Sequence, residues 1–165
     1  MGIVSLATNE VVMSARPPAS DLTSHLGYWL RSVSNHVSHA FALKIEARGV
    51  TVAEWVVLRD LYDAGAIAPS RLAERLGMTR GAITKLADRL IDKSLAVRAA
   101  DVDDGRAQTL ALTEQGSDIV PELAALADAN DAEFFGHLRP EERVALERVL
   151  KDIVERRGLK SVPVD

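Results

Sequence analysis

A mostly helical chain with one small two-stranded hairpin is the fold class that this sequence predicts. Three observations carry the prediction. Apolar residues recur at helical spacing, as in Leu22, Leu26, Trp29, Leu30, Val33 and Val37. Helix-starting signals precede such stretches: Thr51 with Glu54, Thr79, and Pro69 and Pro140 at first-turn positions. Strand-like alternation is confined to Leu95 and Val97 and to Leu110 and Leu112, on either side of a polar turn.

The composition agrees. The 165 residues are 47% hydrophobic, which is enough to build a packed core, while aromatics at 4% leave the packing to aliphatic side chains. The absence of cysteine excludes disulfides, zinc–thiolate sites and thiol switches, and it fits a reducing cytoplasm. Residues 1–13 lack the basic start of a signal peptide, and Thr8, Asn9 and Glu10 interrupt their apolar run. No window is apolar for long enough to span a bilayer, so no membrane partner is expected.

In chain order, residues 1–20 read as an arm, because Pro17 and Pro18 favour extended backbone. Residues 21–48 read as one long helix from Asp21 to about Ala47, capped by Ser20 or Asp21 and ended at Gly49. Its apolar stripe is long for a small core, so part of it is expected to face a second chain. Residues 49–112 form the next unit. Thr51 and Glu54 make a capping box for a helix carrying Trp55, Val56, Leu58, Leu61 and Tyr62, which Ala64 and Gly65 close. Pro69 opens a short helix. Residues 113–158 hold two more helices. The first starts at Thr113 and runs to about Phe135, with Pro121 expected to kink or split it. The second starts at Pro140, with Leu146, Val149, Leu150 and Ile153 along one face. Residues 159–165 read as a tail.

Within the middle unit, Ala73, Gly77, Ile83 and Leu86 fall at spacings of four, six and three residues. A helix-turn-helix needs a small residue where its helices cross, a glycine in the turn and aliphatics beneath the second helix. An ordinary helical hairpin is the competing explanation of that spacing. Charge separates the two. Residues 71–98 hold seven basic side chains against three acidic ones, whereas residues 113–165 hold seven against twelve. Positive charge is therefore local to this stretch, as double-stranded DNA would require. Thr79 can cap the second helix and aim its positive end at phosphate. Ile83, Leu86, Ala87 and Leu90 should point inward, and Thr79, Arg80, Gly81, Thr84, Lys85 and Asp88 outward. Arg80 can read guanine, Thr84 can touch a thymine methyl, and Lys85 can reach phosphate or base. Gly81 and Ala82 allow close approach, and Arg89 and Arg98 add to the basic surface. Asp88 reads as a solvated residue or as a partner of Lys85. In the hairpin, Arg106 is placed to enter a minor groove, where negative potential concentrates. Asp101, Asp103 and Asp104 either hold Arg106 in place or form a plain acidic turn.

Several of these segments occur together and in order: Thr51 to Leu58, Leu72 to Leu76, Asp88 to Leu90, Leu95 to Arg98, Asp101 to Arg106, and Leu112-Thr113-Glu114-Gln115-Gly116. Over residues 22–157 the chain resembles the MarR family (multiple antibiotic resistance regulators). The resemblance implies a winged helix-turn-helix homodimer with its first and last helices interleaved. It also implies a transcriptional regulator, usually a repressor, that binds a palindrome and is released by a small aromatic or lipophilic effector. The sequence departs from the family at two places. Ser94 stands where the family usually has glycine, and the turn Asp103-Asp104-Gly105-Arg106 is more acidic than the common arginine-rich form.

Trp29, His36 and Trp55 are candidate effector-binding residues, since indole and imidazole groups suit an aromatic acid and Arg31 or Arg59 could supply the counter-charge. The alternative is that both tryptophans are core and the histidines exposed, which is preferred for His39. His36 and His39 lie three apart, with His25 upstream, but no acid–histidine cluster accompanies them, and no metal or cofactor is expected. No glycine-rich phosphate loop, nucleophile elbow or His–Glu zinc motif points to an enzyme. The other class is a winged-helix module that binds protein without reading DNA sequence. The outward Arg80, Thr84, Lys85 and Arg106 argue against it.

Overall fold

Caps set most of the boundaries in a computed structural model that describes residues 19–100 and 108–160. Helices α1 (Leu26–Glu46), α2 (Val52–Ala64), α3 (Pro69–Leu76) and α4 (Arg80–Asp92) come first. Strands β1 (Ala96–Ala100) and β2 (Gln108–Leu112) follow, then α5 (Glu114–Phe135) and α6 (Pro140–Arg157). The proposed arm (1–18) and the end of the tail (161–165) lie outside the described residues.

The capping box at Thr51 is complete. The Thr51 hydroxyl accepts the Glu54 N–H, and the Glu54 carboxylate accepts the Thr51 N–H at 2.9 Å. Thr79 accepts the Ala82 N–H at 3.1 Å, and Thr113 accepts the Gly116 N–H at 3.0 Å. Pro69 and Pro140 each occupy a first turn, where a missing N–H removes no helical bond. Gly77 ends α3 at φ 63°, a left-handed conformation that suits glycine and turns the chain into α4.

Four expectations need correction. The first helix is not continuous from Asp21. The Asp21 carboxylate takes the Thr23 N–H at 2.8 Å, so Leu22–Ser24 form a single 3-10 turn and α1 begins at Leu26. Of the kink or split expected at Pro121, the split is excluded, because α5 runs unbroken for 22 residues. The carbonyl that loses its helical partner is that of half-buried Ser117, one turn before exposed Pro121. The hairpin strand is also out of phase with the expected alternation. Leu95 and Ala96 are buried, Val97 is 45% exposed, and β1 pairs antiparallel with β2 from Ala96 opposite Leu112 to Ala100 opposite Gln108. Tyr62, expected on the apolar face of α2, is exposed, with the Arg59 guanidinium 5.9 Å from its ring centre.

The core lies where α2, α4, the hairpin and the first half of α5 meet. Val57, Leu58, Leu61, Leu72, Ile83, Leu90, Leu110 and Leu123 are fully or almost fully buried there. Ile67, between α2 and α3, adds a third short edge to the sheet. Its N–H donates to the Leu110 carbonyl at 3.0 Å, and the Leu110 N–H donates back at 2.9 Å. The junction behind the hairpin is tight. Gly116 packs so close to the Leu95 carbonyl oxygen that a methyl group there would lie 1.9 Å from it. Ser94 has φ 60°, the left-handed region that the usual glycine would occupy without strain.

The outer helices find little to pack on within one chain. No residue of α6 is buried, and Val149, Leu150 and Ile153 face outward. The first half of α1 is similar, with Leu26 87% exposed beside exposed Trp29, Leu30 and Val33. Its second half rests on α5. There Asn130 donates to the Val37 carbonyl at 3.2 Å, and Lys44 reaches Asn130 and Glu133 at 2.9 and 2.8 Å.

Candidate functional site

The face built by α3, α4 and the hairpin begins with the α4 sequence. Ile83, Leu86, Ala87 and Leu90 are buried, which fixes the rotation of the helix. Thr79, Arg80, Gly81, Thr84, Lys85, Asp88 and Arg89 are then exposed, and Ala82 is partly so. The Thr84 hydroxyl donates to the Arg80 carbonyl at 2.9 Å, which leaves its methyl to face outward contacts. Among the described residues, Arg80, Lys85 and Arg89 have no ion-pair partner. Their charge is available to an anion at the positive end and along the flank of α4.

Three further cations of this basic stretch, Arg75, Lys93 and Arg98, are committed internally. Arg75 makes a forked pair with Asp60 on α2, at 2.9 Å through Nη2, and that contact holds its guanidinium further in its charged form. Arg98, on β1, pairs with Asp88 on α4 at 2.6 Å. Asp88 therefore joins helix to hairpin rather than pairing with Lys85 along the helix. The sequence pattern could not show this, because the two residues meet only once the strand turns back. Lys93, just past α4, donates to the Glu54 carboxylate and to the Gly49 carbonyl, each at 2.7 Å. Glu54 is 1% exposed. Burial opposes its ionisation, but the Lys93 ammonium and the Thr51 N–H outweigh burial and hold its carboxyl below the usual glutamate range. The far end of α4 is thus locked to the start of α2. Arg106, with Asp101, Asp103 and Asp104, lies outside the described residues.

A cavity of about 610 Å³ opens between α1, α2 and α5. Val37, Phe41, Val52, Trp55, Val56 and Ala127 form its apolar wall, and the Trp55 and Phe41 rings meet edge to face at 6.4 Å. Ser34, Asn35, Ser38, His39, Asn130 and Asp131 supply its polar groups. Of the three candidate effector residues, only Trp55 lines it. Trp29 is exposed, donates to the Thr23 carbonyl at 2.8 Å and stacks edge-on with Tyr28. The His36 ring faces back along α1 to the Ser32 carbonyl at 2.7 Å. His39, one turn further on, lines the cavity instead. Arg31 and Arg59 do not line it, and Arg59 pairs with Asp63 at 2.7 Å. Helical spacing places His36 and His39 on adjoining faces, and only the position of α5 decides which one meets a wall. Among the described residues, no three histidine or carboxylate groups gather as a metal site. No described helix is long and apolar enough to cross a membrane.

The MarR family model matches residues 50–107, the stretch that holds α2, both helices of the exposed basic face and the first hairpin strand. The chain is 32% identical over 124 residues to the HTH-type transcriptional repressor MdtR of Bacillus subtilis, covering 75% of this chain and 80% of that protein. Its fold is similar to a MarR variant from E. coli complexed with operator DNA, at TM-score 0.70 and 26% identity, covering 78% of this chain and 93% of that one. It is also similar to BpsR of Bordetella bronchiseptica, whose structure concerns regulation of DNA binding by 6-hydroxynicotinic acid. There the TM-score is 0.71 at 26% identity, covering 82% and 97% of the two chains.

Proposed function

Because this chain belongs to the MarR family, we propose that it represses transcription by binding a palindromic operator as a homodimer and leaves it when a small effector fills the cavity beside Trp55. It is a DNA-binding transcriptional regulator and not an enzyme. One observation carries the DNA reading: α4 is capped at its start by Thr79 and tied at its far end to α2 by Lys93, while Arg80, Lys85 and Arg89 stand on its outer face. That is the arrangement of a helix meant to enter a major groove. Thr79 and the first-turn N–H groups meet phosphate, Arg80 and Thr84 read base edges, Gly81 and Ala82 permit close approach, and Lys85 and Arg89 flank them. Arg106 is assigned to the adjacent minor groove. Arg98 serves as a brace on Asp88 as well as a source of positive charge.

The homodimer follows from the exposed apolar faces of α1 and α6, which a second copy would cover. Residues 21–48 and 113–158 would make the dimerisation region and residues 49–112 the DNA-binding unit. The two α4 helices would then meet half-sites about one helical turn apart. Such a protein works in the cytoplasm, where the DNA is.

Selection of bound sequences from random duplexes tests this. A palindromic consensus is expected, and Arg80→Ala should relax one position in each half-site. No enrichment would mean that the basic face docks on something other than a DNA sequence. An equal loss on all duplexes would make Arg80 a phosphate contact.

A further inference from the structure

The charge balance of the cavity carries an inference about what fills it. Its described lining contains one carboxylate, Asp131, and no lysine or arginine. Nearby cations are already engaged. Arg143 pairs with Asp131 itself. Lys44 is held by Glu133 and by the amide oxygen of Asn130. Arg48 pairs with Glu122 on α5. An aromatic carboxylate entering this space would shed water and find no lysine or arginine in the lining, only the His39 ring and neutral amides and hydroxyls beside the Asp131–Arg143 pair. Moving an anion out of water without a counter-charge is heavily penalised.

The remaining groups suit a different ligand. Trp55, Phe41, Val37 and Val56 offer an apolar wall with two aromatic rings, and the volume is that of a drug-sized site. Ser34, Asn35, Ser38 and His39 stand along one side of it and Asp131 on another. We propose that the effector of this regulator is a planar aromatic compound that carries amine or amide hydrogen-bond donors and no negative charge. Its ring packs on Trp55, and its donors face Asp131 and the α1 amide and hydroxyl groups. This rests on the effector reading of the cavity given above and replaces the aromatic acid that the sequence suggested.

Three molecules on one ring system provide the test: naphthoate, naphthamide and naphthylmethylamine, which near neutral pH are anionic, neutral and cationic. Calorimetric titration of the DNA-free protein should rank the amine and the amide at least about tenfold tighter than the acid, the factor that corresponds to 1.4 kcal/mol. Ser38→Trp, at an exposed helical position, should block the cavity and weaken all three. Asp131→Asn removes the negative charge and frees Arg143, so it should erase the preference of the amine over the acid. Tightest binding by naphthoate to the unaltered protein, or no binding by any of the three, would overturn the proposal. A wild-type ranking left unchanged by both variants would overturn it too, by placing the binding elsewhere. Operator release is read separately by fluorescence anisotropy of labelled duplex. Cavity binding in the expected order without release would preserve the ligand class and overturn the effector reading.

Discussion

Replacing Lys93 with methionine tests how helix α4 is held. Methionine retains most of the apolar stem and removes only the ammonium group. The Glu54 carboxylate would then be buried with the Thr51 N–H at 2.9 Å and no positive charge. Breaking a buried ion pair by deleting one partner costs about 3–5 kcal/mol. The Lys93 side chain is 37% exposed, so solvent screening reduces the expected loss to roughly 2 kcal/mol. Urea unfolding at a fixed protomer concentration and neutral pH measures it. The folded-state pKa of Glu54 lies below its ordinary value of 4.5. The stabilisation from its ionised form is therefore fully present above that value and is lost as the pH falls through the lower folded value. In Lys93→Met, desolvation is no longer outweighed, and a neutral Glu54 becomes the easier state. The gap between the two proteins should accordingly close on acidification. Adding Glu54→Gln to Lys93→Met should recover part of the loss, because no buried charge remains. A Lys93→Met protein within about 0.5 kcal/mol of the wild type, the range of an ordinary surface change, would refute the argument.

Ser94→Gly should stabilise the fold by about 0.5–1 kcal/mol, since a left-handed non-glycine residue costs about 1–2 kcal/mol and the freer unfolded chain takes back roughly 0.4–1. Chemical denaturation measures it, and a destabilised variant would contradict the strain seen at φ 60°. Gly116→Ala should cost upwards of about 3 kcal/mol, because the new methyl meets backbone that cannot swing aside. An unchanged melting temperature would show that the junction is looser than it looks. Asp88→Asn releases Arg98 to phosphate, so binding to random-sequence duplex should tighten and the salt slope should steepen by about one counterion. An unchanged slope would mean that Arg98 is held by more than Asp88.

Much of this architecture is legible in local signals. Thr51, Pro69, Gly77, Thr79, Thr113 and Pro140 each act within a few residues of themselves, and each marks a boundary that the structure keeps. The inward face of α4 is likewise fixed by its own periodicity. What escaped the sequence depends on partners far along the chain. Ile67 is one apolar residue among alanines, and nothing local says that Leu110 will pair with it. Lys93 and Arg98 read as two more members of a basic cluster, until tertiary packing sets them against Glu54 and Asp88. Val97 fits an alternating pattern whose phase is decided by Leu95, which is held in the turn before the strand by its N–H bond to the Leu90 carbonyl. The choice between His36 and His39 waits on α5. The early break at His25 is a local contest between Asp21 and the helix, which composition alone does not decide.

The reciprocal hydrogen bonds between Ile67 and Leu110 have a consequence for how such a protein can be tuned. They tie β2 to the segment that leads into α3, while Asp88 and Arg98 tie β1 to α4. The strands and the helix-turn-helix are thereby stitched into one reading head that must turn as a unit. A molecule lodged between α1, α2 and α5 touches that head only through α2, on the side away from the outer face of α4, so it should alter the head's tilt or its distance from a twin rather than its contour. Changes in which bases are preferred and changes in which spacing between half-sites is tolerated should then arise at separate sets of positions. The first set should lie on α4 and the second along α1, α5 and α6.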